Sequence, residues 1–223
     1  MTARAILRRL TSLGPDTRAV AMLEFALTLP VVLTLVLTGA ELTNYITTRM
    51  RMSQIALQLA DNAARMGSGS MLSSKTISES DINDLLTGAG LQAGELNLYT
   101  NGRVIISDLE PTSNPNTAGT YKIGWQRCRG AKTSHASSYG TYGVTSGTNK
   151  GVGMTGMGPT GRQTTTPDNT ATMFVEVYYE YTPLIQSSLT PSLTLTEVAS
   201  MVVRDRRDLT QIYNTPTATI SSC

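Results

Sequence analysis

The hydrophobic pattern changes twice along the chain. From Ala19 to Ala40 the residues AVAMLEFALTLPVVLTLVLTGA form a nearly unbroken apolar run of 22 positions. At a helical rise of about 1.5 Å per residue this is about 33 Å, close to the roughly 30 Å of a bilayer's hydrocarbon core. Only Glu24 is charged within it, and a carboxylate at such a depth is costly unless it reaches the interface or finds a partner. From Glu41 to Arg65 the apolar positions thin to a helical stripe: Leu42, Tyr45, Ile46, Met50, Ile55, Leu59, Ala60, Ala63 and Ala64. Arg49, Arg51, Gln54, Gln58 and Asp61 occupy the polar positions. One long helix is predicted, its outer half packing on the sheet of its own domain or on neighbouring helices. Gly67-Ser68-Gly69-Ser70 should stop it.

Beyond the stop the pattern alternates. Ser78 to Leu86 predicts a short helix, with Ser78 as N-cap, Asp81 at capping-box spacing, and Gly88 and Gly90 as terminators. Leu96–Tyr99 and Val104–Ile106 flank Asn101-Gly102, which predicts a β-hairpin. Tyr121–Cys128 follows as a strand. Residues 129–170 turn to Gly, Ser and Thr and predict a long, exposed or partner-binding loop. In Thr172–Tyr181, Val175, Val177, Tyr179 and Tyr181 share one face and Glu176, Tyr178 and Glu180 the other. Leu193–Arg206 supplies a last strand, with Leu193, Leu195, Ala199, Met201 and Val203 turned inward around Glu197. The fold class is α+β: a long amino-terminal transmembrane helix continuing into a domain with an antiparallel sheet of four or five strands. The expected divisions are a basic leader (1–19), the helix (20–66, transmembrane over 20–40), and a domain (67–223) holding the Gly-rich loop.

Charge orients this arrangement. The net charge is +2, but Arg4, Arg8, Arg9 and Arg18 against Asp16 place +3 in the leader and leave −1 for the rest. Arginines beside a span stay cytoplasmic, so the carboxyl-terminal domain is expected in the periplasm, with lipid around the span. No basic patch remains for nucleic acid. A secretory signal peptide cut before Glu41 is an alternative, opposed by Glu24 and Pro30 inside the apolar core and by its length. Cys128 and Cys223 would both lie on the oxidising side, where a disulfide is expected; unrelated thiols, or a lipidated or intermolecular Cys223, are the alternatives.

Candidate chemistry is sparse. Gly151-Val152-Gly153-Met154-Thr155-Gly156 matches G-x-G-x-x-G, but a dinucleotide site needs a strand before it and a helix after it, and Gly158, Pro159 and Gly161 forbid that helix. His135, the only histidine, reads as a surface imidazole in a polar loop. Glu176 and Glu180 are either paired carboxylates or the exposed face of a strand. Two distant cysteines make no zinc site. Neither a metal, nor a cofactor, nor catalysis is expected.

The order of a basic arm, small residues, Glu24-Phe25 and then Ala26-Leu27-Thr28-Leu29-Pro30 resembles the amino terminus of pilins and pseudopilins, most closely the TadE-like proteins of the tight-adherence (Flp-type, type IVc) pilus. Trp125-Gln126-Arg127-Cys128, Val175 to Leu184 and Val203-Arg204 look like the family's periplasmic part, more loosely. The resemblance implies a prepilin-peptidase cut between Ala19 and Val20, although the family usually has Gly where Ala19 stands. Val20 would become the amino terminus and Glu24 its fifth residue, with Val20, Glu24, Phe25 and Pro30 serving assembly. Pro30 is either a simple kink or a point where the helix melts on assembly. The implied function is a minor pilin that supports assembly or priming of the pilus and surface adhesion. The implied partners are the major Flp pilin, other minor pilins, the prepilin peptidase and the inner-membrane assembly platform. The alternative is a permanently anchored periplasmic scaffold or adhesin that is never polymerised.

Overall fold

The computed structural model describes residues 17–70, 73–186 and 191–223. Most of the basic leader lies outside them. Helix α1 runs Thr17–Arg65 without interruption, 49 residues, or about 74 Å at the standard rise. Helix α2 is Glu79–Ala93, followed by a 3₁₀ turn at Gly94–Leu96 and the single-turn α3 at Leu98–Asn101. The strands are β1 (Gly102–Pro111), β2 (Tyr121–Arg129), β3 (Val152–Met154), β4 (Thr172–Glu180) and β5 (Thr194–Val202). They form one antiparallel sheet in the order β3-β2-β1-β4-β5, so the class is α+β.

The chain divides into two compact units, one of residues up to Tyr45 with Pro183–Pro191, the other of Ile46–Thr182 with Ser192–Cys223. In the second unit the sheet is covered on both faces. Register places Val104, Ile106, Arg127, Arg129, Val175, Val177 and Glu197 on one face. Arg127 reaches Glu79 (Nε to Oε2 3.0 Å), Arg129 reaches Asn83 (3.1 Å), and Glu197 accepts from Arg49 (2.6 Å), so helices α1 and α2 lie on this side. Met52, Ile55, Ala56, Leu59, Ala60, Ala63 and Ala64 are buried here, whereas Leu42, Ile46 and Met50, expected on the same stripe, are exposed. Arg207 ends the long helix by donating its Nη2 to the carbonyls of Ala63 (3.0 Å) and Met66 (2.9 Å), where a cation also meets the negative end of the helix dipole.

Three expectations need correction. The predicted hairpin at Asn101-Gly102 does not form. Asn97 adopts a left-handed conformation (φ 48°), Leu98–Asn101 coil into α3, and Gly102 instead begins β1, whose partners are β2 and β4. Gly102 is required because the carbonyl of Tyr178 lies where a Cβ would stand. The capping box at Ser78 and Asp81 is formed, but α2 passes through Gly88 and Gly90 to Ala93. A Cβ at Gly90 would strike the ring of Tyr99, which packs there and donates its hydroxyl to the carbonyl of Leu86. Burial pushes that phenol up to about 12, against the opposing pull of Arg129.

The third correction concerns Glu176 and His135, over which part of the Gly-rich segment packs while its residues 142–150 stay exposed. Leu109, Ile123, Met154, Met157 and Phe174 form an apolar cluster on the second sheet face, with Tyr121, Tyr139 and Val198 packed against it. Glu176, expected on an exposed or paired-carboxylate face, is fully buried beneath this segment. Its carboxylate accepts from Ser137 Oγ (2.9 Å) and the Ser138 amide (3.1 and 3.2 Å), and lies 3.0 Å from His135 Nε2. His135 is thus no free surface imidazole; it also stacks on Tyr178 at 3.9 Å. A buried carboxylate with several donors is tightly held, and its hydrogen bonds are each worth about 1.5–3 kcal/mol. Glu176→Gln should therefore lower unfolding free energy by about 1.5–3 kcal/mol in chemical denaturation and make residues 129–170 cleavable in limited proteolysis. Unchanged values in both assays would refute this anchoring.

The chain's end is fastened to the sheet: Cys128 and Cys223 form a disulfide with Cα atoms 4.8 Å apart. The Cys128 amide donates to the Ser221 carbonyl (2.8 Å), and Arg103 donates to the carbonyls of Thr133, His135 and Cys223.

Candidate functional site

Helix α1 from Val20 to Ala40 differs from the rest of the described chain in one respect: no described residue buries it. Val20, Met22, Leu23, Phe25, Leu27, Val31, Leu35 and Val36 are all more than half exposed, up to 77% at Met22. Its most apolar 18-residue window has mean hydropathy 2.3 and is wholly unburied, so this one helix is long and apolar enough to cross a membrane. In water such a surface would cost about 25 cal/mol per Å² of apolar area. Lipid, or other apolar helices, must cover it.

Within this segment the polar groups are handled individually. Thr34 returns its hydroxyl to the Pro30 carbonyl (2.7 Å), Thr28 to Phe25 (3.3 Å) and Thr43 to Gly39 (2.8 Å), so their donors stay inside the helix. Pro30 is contained in the helix, where it removes one backbone donor without ending the element. Glu24 has no hydrogen bond or ion pair among the described residues, and its side chain is exposed. Val20 precedes it by four residues and so shares its helical face, one turn or about 6 Å away. The Ala19–Val20 bond lies in the first turn of α1. The helix therefore brings Val20, Glu24 and Leu27 onto one stripe and presents Phe25 away from it; Cys128 and Cys223 belong to the other unit and join no part of this site.

Sequence reasoning missed Glu41 as a structural residue. It closes the apolar run, is only 4% exposed, and its Oε2 accepts the amides of Leu184 (2.8 Å) and Ile185 (3.0 Å) in the same unit. A carboxylate directly after Gly39-Ala40 was the available signal. A helix continuous through Ala40–Glu41 also means that a cut before Glu41 would divide one element.

A second acidic feature lies in the sheet. A register shift after Asp108 leaves Gly124 as the extra residue of a β-bulge, and a Cβ there would overlap the Glu110 carboxyl group and lie 3.3 Å from Asp108 Oδ2. Gly124 thereby makes room for two buried carboxyls on one strand face. Burial first, and then the neighbouring Glu110, hold the Asp108 carboxyl well above the usual range, partly opposed by Arg207 and Lys122. Lys122 Nζ lies 3.2 Å from Glu110. The raised value means that the folded chain holds a proton the unfolded chain releases. Stability should therefore fall as pH rises from the ordinary carboxylate range, about 3.9, toward the raised value. Asp108→Asn, which keeps a donor and cannot ionise, should flatten that fall in melting temperature measured between pH 4 and 7; an unchanged slope would remove Asp108 as its source.

Ser137 and His135 both bond to the Glu176 carboxyl group. The G-x-G-x-x-G residues form β3, and no helix follows them among the described residues. No group of three metal-ligating side chains occurs among the described residues.

Comparison with known proteins points to the same helix. No curated protein and no solved structure matches the chain. The family model of the TadE-like proteins matches residues 19–68, which begin at Ala19 and end just past the last turn of α1. The looser carboxyl-terminal likeness lies outside that match. Over residues 19–68, the long amino-terminal helix with Glu24 included, the chain is similar to the TadE-like proteins.

Proposed function

We propose that the chain is a membrane-anchored minor pilin or pseudopilin of a tight-adherence pilus system, held in the bacterial inner membrane with its carboxyl-terminal domain in the periplasm, and that it supports pilus assembly or priming and surface adhesion without catalysing a reaction. The observation that carries this reading is the coincidence of the TadE-like match with the one apolar helix segment that the protein's own fold leaves bare. A permanent anchor needs only lipid around such a segment. A pilin needs a segment that can exchange lipid for neighbouring subunits, and an unpaired Glu24 in it gives that exchange a fixed register.

In this reading the prepilin peptidase cuts between Ala19 and Val20. The new ammonium at Val20 then meets the Glu24 carboxylate of a neighbouring subunit as the helices bundle. The major pilin, other minor pilins and the assembly platform are its partners, and the permanently anchored scaffold or adhesin is the competing reading.

Intact mass of the native protein, taken from membrane and from sheared surface fractions, tests this. The expected result is a chain beginning at Val20 in both fractions. A chain beginning at Met1 and confined to the membrane would establish the permanent anchor instead, and one beginning at Glu41 would establish a signal peptide.

A further inference from the structure

The two edges of the sheet are treated differently. On the β2 side, the short β3, the Ile123 amide bound to the Gly151 carbonyl (2.7 Å) and the Cys128 amide bound to Ser221 leave little backbone open. On the other side, β5 pairs with β4 in unbroken register from Thr172↔Val202 to Glu180↔Thr194, and pairs with nothing else among the described residues. The ladder's phase follows from its ends. Tyr181 donates to Leu193 and Val203 to Ala171, so the odd-numbered residues of β5 bond to β4. Thr194, Thr196, Val198, Ser200 and Val202 therefore direct both N–H and C=O outward.

This edge lacks the usual protections. It is nine residues long, carries no bulge or proline, and none of its five outward residues is charged. Beside it runs a groove of about 340 Å³ with a mainly polar surface, lined by Thr196, Val198 and Ser200, with the buried Phe174 and Met157 beneath it and Arg162 exposed on its rim. Glu197, the groove's carboxylate, is already paired with Arg49. Arg162 has no ion pair or side-chain hydrogen bond among the described residues, so the groove offers a cation to an incoming chain.

We infer that β5 is a docking edge for an extended segment of a partner polypeptide, which adds as a sixth strand and places a carboxylate on Arg162. Main-chain hydrogen bonds supply affinity in strand addition, and alternate side chains supply specificity. The surface is separate from the amino-terminal helix and does not depend on how that helix is used.

The full chain in detergent micelles tests this against two synthetic peptides of about nine residues, a strand's length, alternating threonine and valine around a central glutamate or a central lysine. The glutamate peptide should bind saturably, and the lysine peptide at least about tenfold more weakly, as one charge contact of about 1.4 kcal/mol requires. On binding, amide exchange at Thr196, Val198 and Ser200 should slow at least about tenfold, while Leu195, Glu197 and Ala199 are already protected in the free protein. Thr196→Pro removes an outward N–H only, so it should abolish binding with the melting temperature unchanged. Arg162→Glu should reverse the peptide preference and serves as a second probe should the proline variant unfold. Absence of binding, equal binding by either variant, or protection outside β5 would overturn the proposal. Self-association of the wild type that Thr196→Pro disperses would overturn it too, by assigning the edge to a second copy.

Discussion

Glu24→Gln is expected to leave membrane insertion and the fold of the carboxyl-terminal domain at wild-type level while depleting the protein from sheared surface fractions about 100-fold. The side chain is exposed and has no hydrogen bond or ion pair among the described residues, so the amide costs no polar contact there. Insertion should improve slightly if it changes at all, because a neutral side chain crosses hydrocarbon more easily than a carboxylate. The loss arises only between subunits. Breaking one partner of a buried ion pair costs about 3–5 kcal/mol, since the other charge is left without compensation, and about 3 kcal/mol corresponds to roughly 100-fold in an association constant. Quantitative immunoblotting of membrane and sheared fractions separates the two effects. Normal surface levels in the variant would leave Glu24 without an assembly role and favour the permanent anchor. Equal loss from both fractions would instead mean a failure of insertion.

Removing the disulfide should produce the largest loss of stability. Cys128 and Cys223 are 95 residues apart, and closing a loop near that length removes unfolded-state entropy worth about 4–5 kcal/mol on the chain-entropy model. The bridge secures residues near Cys223 to the carboxyl-terminal end of β2. With it go the Cys223 carbonyl that Arg103 holds and the Ser221 carbonyl that covers the Cys128 amide. Arg103 is buried and keeps its bonds to Thr133 and His135, so the sheet should survive while the tail frays. The Cys128→Ser, Cys223→Ser double variant should lose about 4–5 kcal/mol in denaturant unfolding of the full chain. A loss below about 1 kcal/mol would mean that the tail's hydrogen bonds hold it without the bridge.

The two regions differ in how legible they were. The amino-terminal helix could be read almost residue by residue. A span is defined by length and apolarity alone, a charge within it stands out, and a Gly-Ser run ends it; none of these depends on distant contacts. The capping box at Ser78 and the strands at Tyr121 and Thr172 were legible for the same reason, since their signals are local or have period two.

Where the sequence reading failed, a distant partner decided. Asn101-Gly102 carries a hairpin signal, yet β1 found better neighbours in β2 and β4 than in the residues before it. Gly90 looks like a helix stop, and its missing side chain instead admits Tyr99, nine positions on. Alternation placed Glu176 on one face of its strand correctly but could not say that a polar loop would cover that face. By itself the sequence determined the long helix, the single carboxylate of its apolar run, the sheet-forming segments and the α+β class, because each rests on short-range pattern. Only the tertiary structure decided that parts of residues 129–170 pack over the sheet, that Glu41 and Glu176 are buried anchors, and that β5 pairs with no further strand among the described residues. Burial and hydrogen-bond partners are set by what the rest of the chain brings to a position, and a single position's neighbours in sequence do not carry that information.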